Sequence, residues 1–320
     1  MTTMSIGSSY SIGRSTPGPP RPLPATHAAL APSLRLLGAG VGALLALGLT
    51  GALFVRTYPG QWLDGLLLPR AERGGGYAQQ STLLGPARSV LAAFGDPALL
   101  AALLGAVLLL GLLGRRLVAA LVGVGMVLGA VVVAGAVKSA LSRPDLQVES
   151  SSIHNSFPSG HVAVATTLLL SFMLVLPARA RRWLALPGAA GVTVVAAATM
   201  LAGWHRFSDA LGGVLLGVAL FCLAAAGLAG RPGAAGPRAP DAVRTAGGAA
   251  WRGLAEAAIG LVGLGWVLLV VLPGLSAAVP RGALVAILAV AGSTMLAVGL
   301  VVWLVRSVDF TPPPDRSMKG

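Results

Sequence analysis

Apolar residues in this chain come in long runs separated by short polar stretches. A run of about 20 apolar residues is what an α-helix needs to cross a bilayer core of roughly 30 Å. Runs of that kind predict eight helical spans, at about 34–55, 97–113, 117–137, 162–178, 184–203, 210–229, 254–273 and 282–305. The second is short, and Gly114-Arg115-Arg116 makes a tight connection to the third. Residues 56–96 read as a long loop with Gly, Pro and mixed charges, part of it an interfacial helix. Residues 1–33, with the stretch TPGPPRPLP, read as a disordered tail, because they lack an apolar face to bury. Residues 230–253 read as a Gly/Pro/Arg-rich linker to a terminal hairpin over 254–305, and 306–320 as a second tail. The expected fold class is all-α: a polytopic membrane helical bundle, with a six-helix core over 34–229 and two extra C-terminal transmembrane helices.

Composition sharpens this picture. Of 320 residues, 55% are hydrophobic and 10% charged, against about 25% charged in ordinary soluble domains. The net charge is +13, but nucleic-acid binding needs a soluble basic face. Here the arginines stand between apolar runs, which suits anionic headgroups and control of orientation. The expected partners are therefore membrane lipids, with no nucleic acid. Placing the N-terminus inside puts Arg115, Arg116, Arg179, Arg181, Arg182 and Arg306 on cytoplasmic segments, and the C-terminus beside them. The Ala/Gly/Arg-rich, Lys-poor usage suggests a GC-rich bacterial genome, so the expected location is a bacterial plasma membrane. Cys222 is the single cysteine and can form no internal disulfide.

Three polar clusters interrupt the apolar pattern: Lys138 to Pro144 (KSALSRP), Asn155 to His161 (NSFPSGH) and Gly203 to Asp209 (GWHRFSD). In the orientation above all three fall on the outer side. Pro158-Ser159-Gly160 reads as a helix start with Ser159 as its cap. Such a start offers free backbone N–H groups to an anion, and glycine permits close approach. Lys138 and Arg143 suit phosphoryl oxygens, Arg in bidentate fashion. His205 and Asp209 share a face if their stretch is helical, and Asp209 then holds the imidazole in one tautomer. That imidazole is a nucleophile or a general base, and His161 remains as general acid. Alone, each cluster has an ordinary explanation: an interface anchor, a plain helix start, a snorkelling loop. Together, in order and on one face, they read as a site. His154 reads as a loop residue and His27 as part of the tail.

The clusters resemble the type 2 phosphatidic acid phosphatase superfamily, whose active site is similar to that of vanadium haloperoxidases. That pattern runs from a Lys and an Arg-Pro to Pro-Ser-Gly-His, then to an Arg six residues before His-x-x-x-Asp. The resemblance covers about residues 97–229. It implies a phosphohistidine on His205 oriented by Asp209, a leaving lipid oxygen protonated by His161, and a phosphate cradled by Lys138, Arg143, Ser159 and Gly160. It implies no metal and no other cofactor. Three positions depart from the pattern. Lys138 and Arg143 are separated by four residues rather than six, Asp145-Leu146 replaces a second Arg-Pro, and Thr199 stands where the preceding Arg is expected. Arg206, beside the nucleophile, is the expected substitute phosphate ligand. The function implied is hydrolysis of a lipid phosphate: a phosphatidate, a phosphatidylglycerol phosphate, or a polyprenyl phosphate or diphosphate. Phosphotransfer to an alcohol, and non-catalytic binding or transport of a lipid phosphate, are the alternatives. The last two spans lie outside the resemblance, and a homo-oligomer contact or a lipid entrance are uses left open for them.

Overall fold

The architecture comes from a computed structural model, which describes residues 25–67, 72–73, 76–77, 82–148, 154–230 and 281–310. The described residues are all-helical apart from a two-residue antiparallel ladder that pairs Glu72 with Tyr77 and Arg73 with Gly76. The helices are α1 (Ala25–Thr50), α2 (Tyr58–Leu66), α3 (Leu84–Phe94), α4 (Pro97–Leu113), α5 (Leu117–Ala140), α6 (Gly160–Val175), α7 (Ala178–Leu201), α8 (Phe207–Ala229) and α9 (Arg281–Val305). A π-helical turn, Gly51–Val55, extends α1. Among the described residues, five helices are long and apolar enough to cross a membrane, or six if the bent pair α3 and α4 counts as one span. The fold is thus a polytopic helical bundle.

The expected spans coincide with α1, α4 to α8 and α9, with two corrections. Residues 25–33, expected in the unstructured tail, form the first turns of α1. The Ala-rich stretch ahead of Pro32, ATHAALA, has the helix propensity to continue the span upstream. The second span is preceded by α3, bent from α4 by 54°. At the bend Asp96 caps α4, its Oδ1 accepting from Ala98 N at 2.8 Å, and Pro97 supplies the first helical residue, where a missing N–H costs nothing. The expected span 254–273 and the 231–253 part of the linker lie outside the described residues, as do residues 1–24 and 311–320.

Helix α8 is the centre of the packing: α1, α5, α6 and α9 all lie against it. Small residues on α8 make the α6 contact close. A Cβ added at Gly213 would stand 2.7 Å from the Ser159 carbonyl oxygen and 3.0 Å from Ala163 N, both backbone atoms that cannot swing away. Gly212 receives the Phe157 ring and Gly217 receives Thr166 in the same way. This row of glycines lets the start of α6 press against the start of α8. Gly213→Val is therefore expected to destabilise the bundle by about 1–3 kcal/mol through overpacking. Because the displaced atoms are those of Ser159, it should also lose most activity. Thermal unfolding in detergent, read beside an activity assay, checks both.

The far end of the bundle, opposite the polar clusters, is fastened by two buried arginines. Arg116 donates to the Val175 carbonyl at 2.9 Å and pairs with Asp309 at 2.8 Å. Arg181 donates to the carbonyls of Leu176, Val305 and Val308, and its guanidinium lies 4.9 Å from the centre of the Phe310 ring. These bonds tie the end of α9 to the starts of α5 and α7. Helix α9 buries Ala283, Ala286, Val290, Val298 and Val301 against the bundle, so it is part of the core rather than an appendage.

Candidate active site

All three polar clusters meet at one end of the bundle. The first joins the second through Asn155, whose Nδ2 donates to the Leu141 carbonyl at 2.6 Å and the Lys138 carbonyl at 3.3 Å. The second joins the third through two bonds to Asp209. Ser159 N donates to the Asp209 carbonyl at 2.8 Å, and Ser156 Oγ donates to Asp209 Oδ2 at 2.5 Å. Ser159 is the N-cap of α6, with its Oγ accepting from Val162 N at 3.5 Å. Gly160 opens the helix, and the direction its Cβ would take is empty space. The helix start is thus open beside Gly160, as an anion pocket requires.

His205 and Asp209 do not share a helical face, which corrects the expected reading. Gly203 adopts φ 72°, a left-handed conformation that glycine reaches without penalty. It turns the chain so that Trp204 N and His205 N both donate to the Thr199 carbonyl, at 3.0 and 3.2 Å. Arg206 is extended, and α8 begins only at Phe207. Asp209 occupies the third position of α8 and reaches back to accept from Arg206 N at 2.8 Å, capping the start of the helix. His205 comes before the helix yet still faces it: its Nδ1 stands 3.5 Å from Asp209 Oδ2. That is longer than a good hydrogen bond, as catalytic contacts commonly are before a substrate tightens them. With Nδ1 toward the carboxylate, Nε2 points away from Asp209. His205 is 7% exposed and Asp209 is fully buried.

His161 completes the group. Its ring centre lies 6.5 Å from that of His205 and 5.7 Å from that of Trp204, and the two imidazoles stand edge to face. Lys138 is in the last turn of α5 and Arg143 follows in the extended segment after it. Arg143 is buried, between Leu141, held by Asn155, and Pro144.

Two expectations about arginines take a specific form. Thr199 is fully buried, its Oγ1 donating to the Ala196 carbonyl, and its own carbonyl anchors the turn that carries His205. Arg206 Nη1 donates to Ser156 Oγ at 2.9 Å and approaches the His154 carbonyl at 3.4 Å. Arg206, Ser156 and Asp209 thus form a relay of bonds behind His205.

Sequence reasoning missed two residues, Gln61 and Asp64 on α2. Both are buried. Gln61 Nε2 donates to the Val55 carbonyl at 2.9 Å and the Pro144 carbonyl at 3.0 Å. Asp64 accepts from Ser208 N at 3.1 Å and makes a very short hydrogen bond with Ser208 Oγ. Burial, and then the charge of Asp209, push the Asp64 carboxyl up to about 7. The available signal was Thr57-Tyr58-Pro59, a helix cap followed by a proline, with Gln61 and Asp64 three apart on the helix it starts.

A model of the PAP2 superfamily matches residues 119–231. This segment belongs to the PAP2 superfamily. Comparison with curated proteins and with solved structures returned no match. The PAP2 segment runs through α5 to α8 and contains His161, His205, Asp209, Lys138, Arg143, Ser159, Gly160 and Arg206. Helices α1, α2, α3, α4 and α9 lie outside it, including the α2 residues that reach the site. PAP2 membership supports a phosphatase-type enzyme acting on phosphate esters.

Proposed function

We propose that this protein is a multi-pass membrane lipid phosphatase that works through a phosphohistidine on His205. The observation that carries the reading is the convergence at one bundle end of the capped, open start of α6, the paired imidazoles, and the buried carboxylate behind one of them. Helix N-termini attract phosphate, and a nucleophile backed by an orienting group is the arrangement covalent catalysis needs.

In the forward step Nε2 of His205 attacks phosphorus, an N–P bond forms, and the bond from phosphorus to the lipid oxygen breaks. His161 gives its proton to that oxygen, so the lipid leaves as an alcohol. Water then attacks the phosphohistidine, His161 takes a proton from it, and inorganic phosphate leaves with His205 restored. Asp209 stabilises the positive charge on the imidazole while it carries phosphorus. Lys138, Arg143 and the open start of α6 at Gly160 neutralise the phosphoryl oxygens.

The far end of the bundle carries the exposed arginines Arg115, Arg179, Arg182 and Arg306. The excess of basic residues there supports a cytoplasmic far end and an active site on the outer face of a bacterial plasma membrane. The substrate class is a phosphatidate, a phosphatidylglycerol phosphate, or a polyprenyl phosphate or diphosphate.

Purified protein in detergent is expected to release inorganic phosphate from at least one of these lipids. Vanadate, which mimics pentavalent phosphorus, is expected to abolish the release. Tight lipid-phosphate binding without release from any of the panel would remove the phosphatase reading and leave a binder. Transfer of the label to an added alcohol in place of release would make it a phosphotransferase.

A further inference from the structure

Helix α2 lies outside the PAP2 segment, yet it contributes two buried polar side chains to the site. A nine-residue helix at the end of a bundle has no need to bury an acid, because its polar face can stay in water. Asp64 is nevertheless fully buried, and both its oxygens are committed to Ser208 in the first turn of α8. The charged groups that face it are Asp209 and Arg206. Gln61, three residues earlier on the same helix, holds Pro144, next to Arg143. Helix α2 is itself held in place. A side chain at Gly60 would collide with the Leu53 carbonyl, and one at Gly282, at the start of α9, would collide with the Leu66 carbonyl at the end of α2.

We propose that Asp64 is a positioning residue for the reaction: through Ser208 it fixes the first turn of α8 and so sets Asp209 behind His205. Gln61 holds the Arg143 segment from the same helix, so α2 acts as a strut between the nucleophile and the phosphate-binding segment. The inference rests on the phosphatase reading given above. It also makes the site dependent on a helix that the family match does not include.

The test compares the full chain with its Asp64→Ala and Asp64→Asn variants, assayed in detergent micelles on the panel of phosphatidate, phosphatidylglycerol phosphate and polyprenyl phosphate and diphosphate. In parallel, the His205 Nδ1–H proton resonance is followed in histidine-labelled protein. Asp64→Ala is expected to lower kcat by about 10- to 100-fold with KM within about twofold. Asparagine keeps an acceptor for Ser208 N and offers its amide N–H to the Ser208 hydroxyl oxygen, which accepts as well as donates, so Asp64→Asn is expected to recover kcat to within about threefold. The resonance should match wild type in Asp64→Asn and move or vanish in Asp64→Ala. Unchanged kcat in Asp64→Ala, an Asp64→Asn variant equally impaired, or an identical resonance in all three would overturn the proposal. If Asp64→Ala does not fold, Ser208→Ala must show the same direction at smaller size, and wild-type behaviour there also overturns it. A wild-type protein that releases phosphate from no lipid of the panel sinks the phosphatase reading instead, and the resonance comparison alone then decides whether Asp64 holds the His205–Asp209 pair.

Discussion

His205→Ala is expected to lower lipid phosphate release by at least about 10⁴-fold while leaving the fold intact. The size of the loss separates two roles for the imidazole. A general base that only activates water contributes about 10²–10⁴. A nucleophile is the atom to which phosphorus is transferred, and its removal leaves no covalent route. The His205 side chain makes no hydrogen bond that holds the fold: its Nδ1 has no partner closer than Asp209 at 3.5 Å. The backbone bond to the Thr199 carbonyl survives the substitution. The measurement is a rapid-quench experiment with lipid carrying labelled phosphate. Wild type should hold a label that is stable in base and lost in acid, as a phosphoramidate is, and His205→Ala should hold none. His161→Ala completes the assignment. With an aryl phosphate whose leaving group needs no proton, it should still form the labelled intermediate, whereas with the lipid substrate it should not. Label on His205→Ala, or release within about tenfold of wild type, would remove His205 as the nucleophile.

How much of this was legible beforehand depends on which residues carry their own context. The long spans were legible because length and apolar content suffice to mark them. Helix α3 was not, because Gly85, Pro86, Arg88 and Ser89 give it the look of the loop around it. His161, His205 and Asp209 stood out because charged groups between apolar runs are rare and costly. Their geometry was only partly legible. The four-residue spacing invited a shared helical face, but Gly203 and the extended Arg206 delay the helix and bring the pair together across its cap. Asp64 lay beyond reach because its partner Ser208 is 144 residues away, a distance that only the packing of α2 against α8 closes. The same holds for the glycine row of α8: Gly212, Gly213 and Gly217 look like ordinary small residues of a membrane helix until α6 lies on them.

Asp209→Asn is expected to lower kcat by about 10³-fold with KM within about threefold and little loss of stability. The substitution keeps volume and removes charge, which isolates the electrostatic role. Asp209 Oδ2 accepts from Arg206 N and Ser156 Oγ and faces His205 Nδ1. An asparagine can turn its carbonyl toward those donors, so the bond from Arg206 N and the Ser156 contact persist. The negative charge opposite an imidazole that becomes positive on taking up phosphorus does not persist. An uncharged side chain also ceases to favour the tautomer with its proton on Nδ1, which is the one that frees Nε2 for attack. Asp209→Ala should differ in kind. It strands Arg206 N and Ser156 Oγ in a buried region, at about 1–3 kcal/mol for each unsatisfied group, so it should lose stability as well as rate. The two variants therefore separate the role of the carboxylate as a charge from its role as a cap. Their kinetics and melting temperatures in detergent measure each part. If Asp209→Asn kept more than about a tenth of wild-type kcat, orientation of His205 by charge would not be what the carboxylate supplies. The fully buried position of Asp209, in the first turn of a helix whose glycines hold Ser159 against it, would then be explained by packing alone.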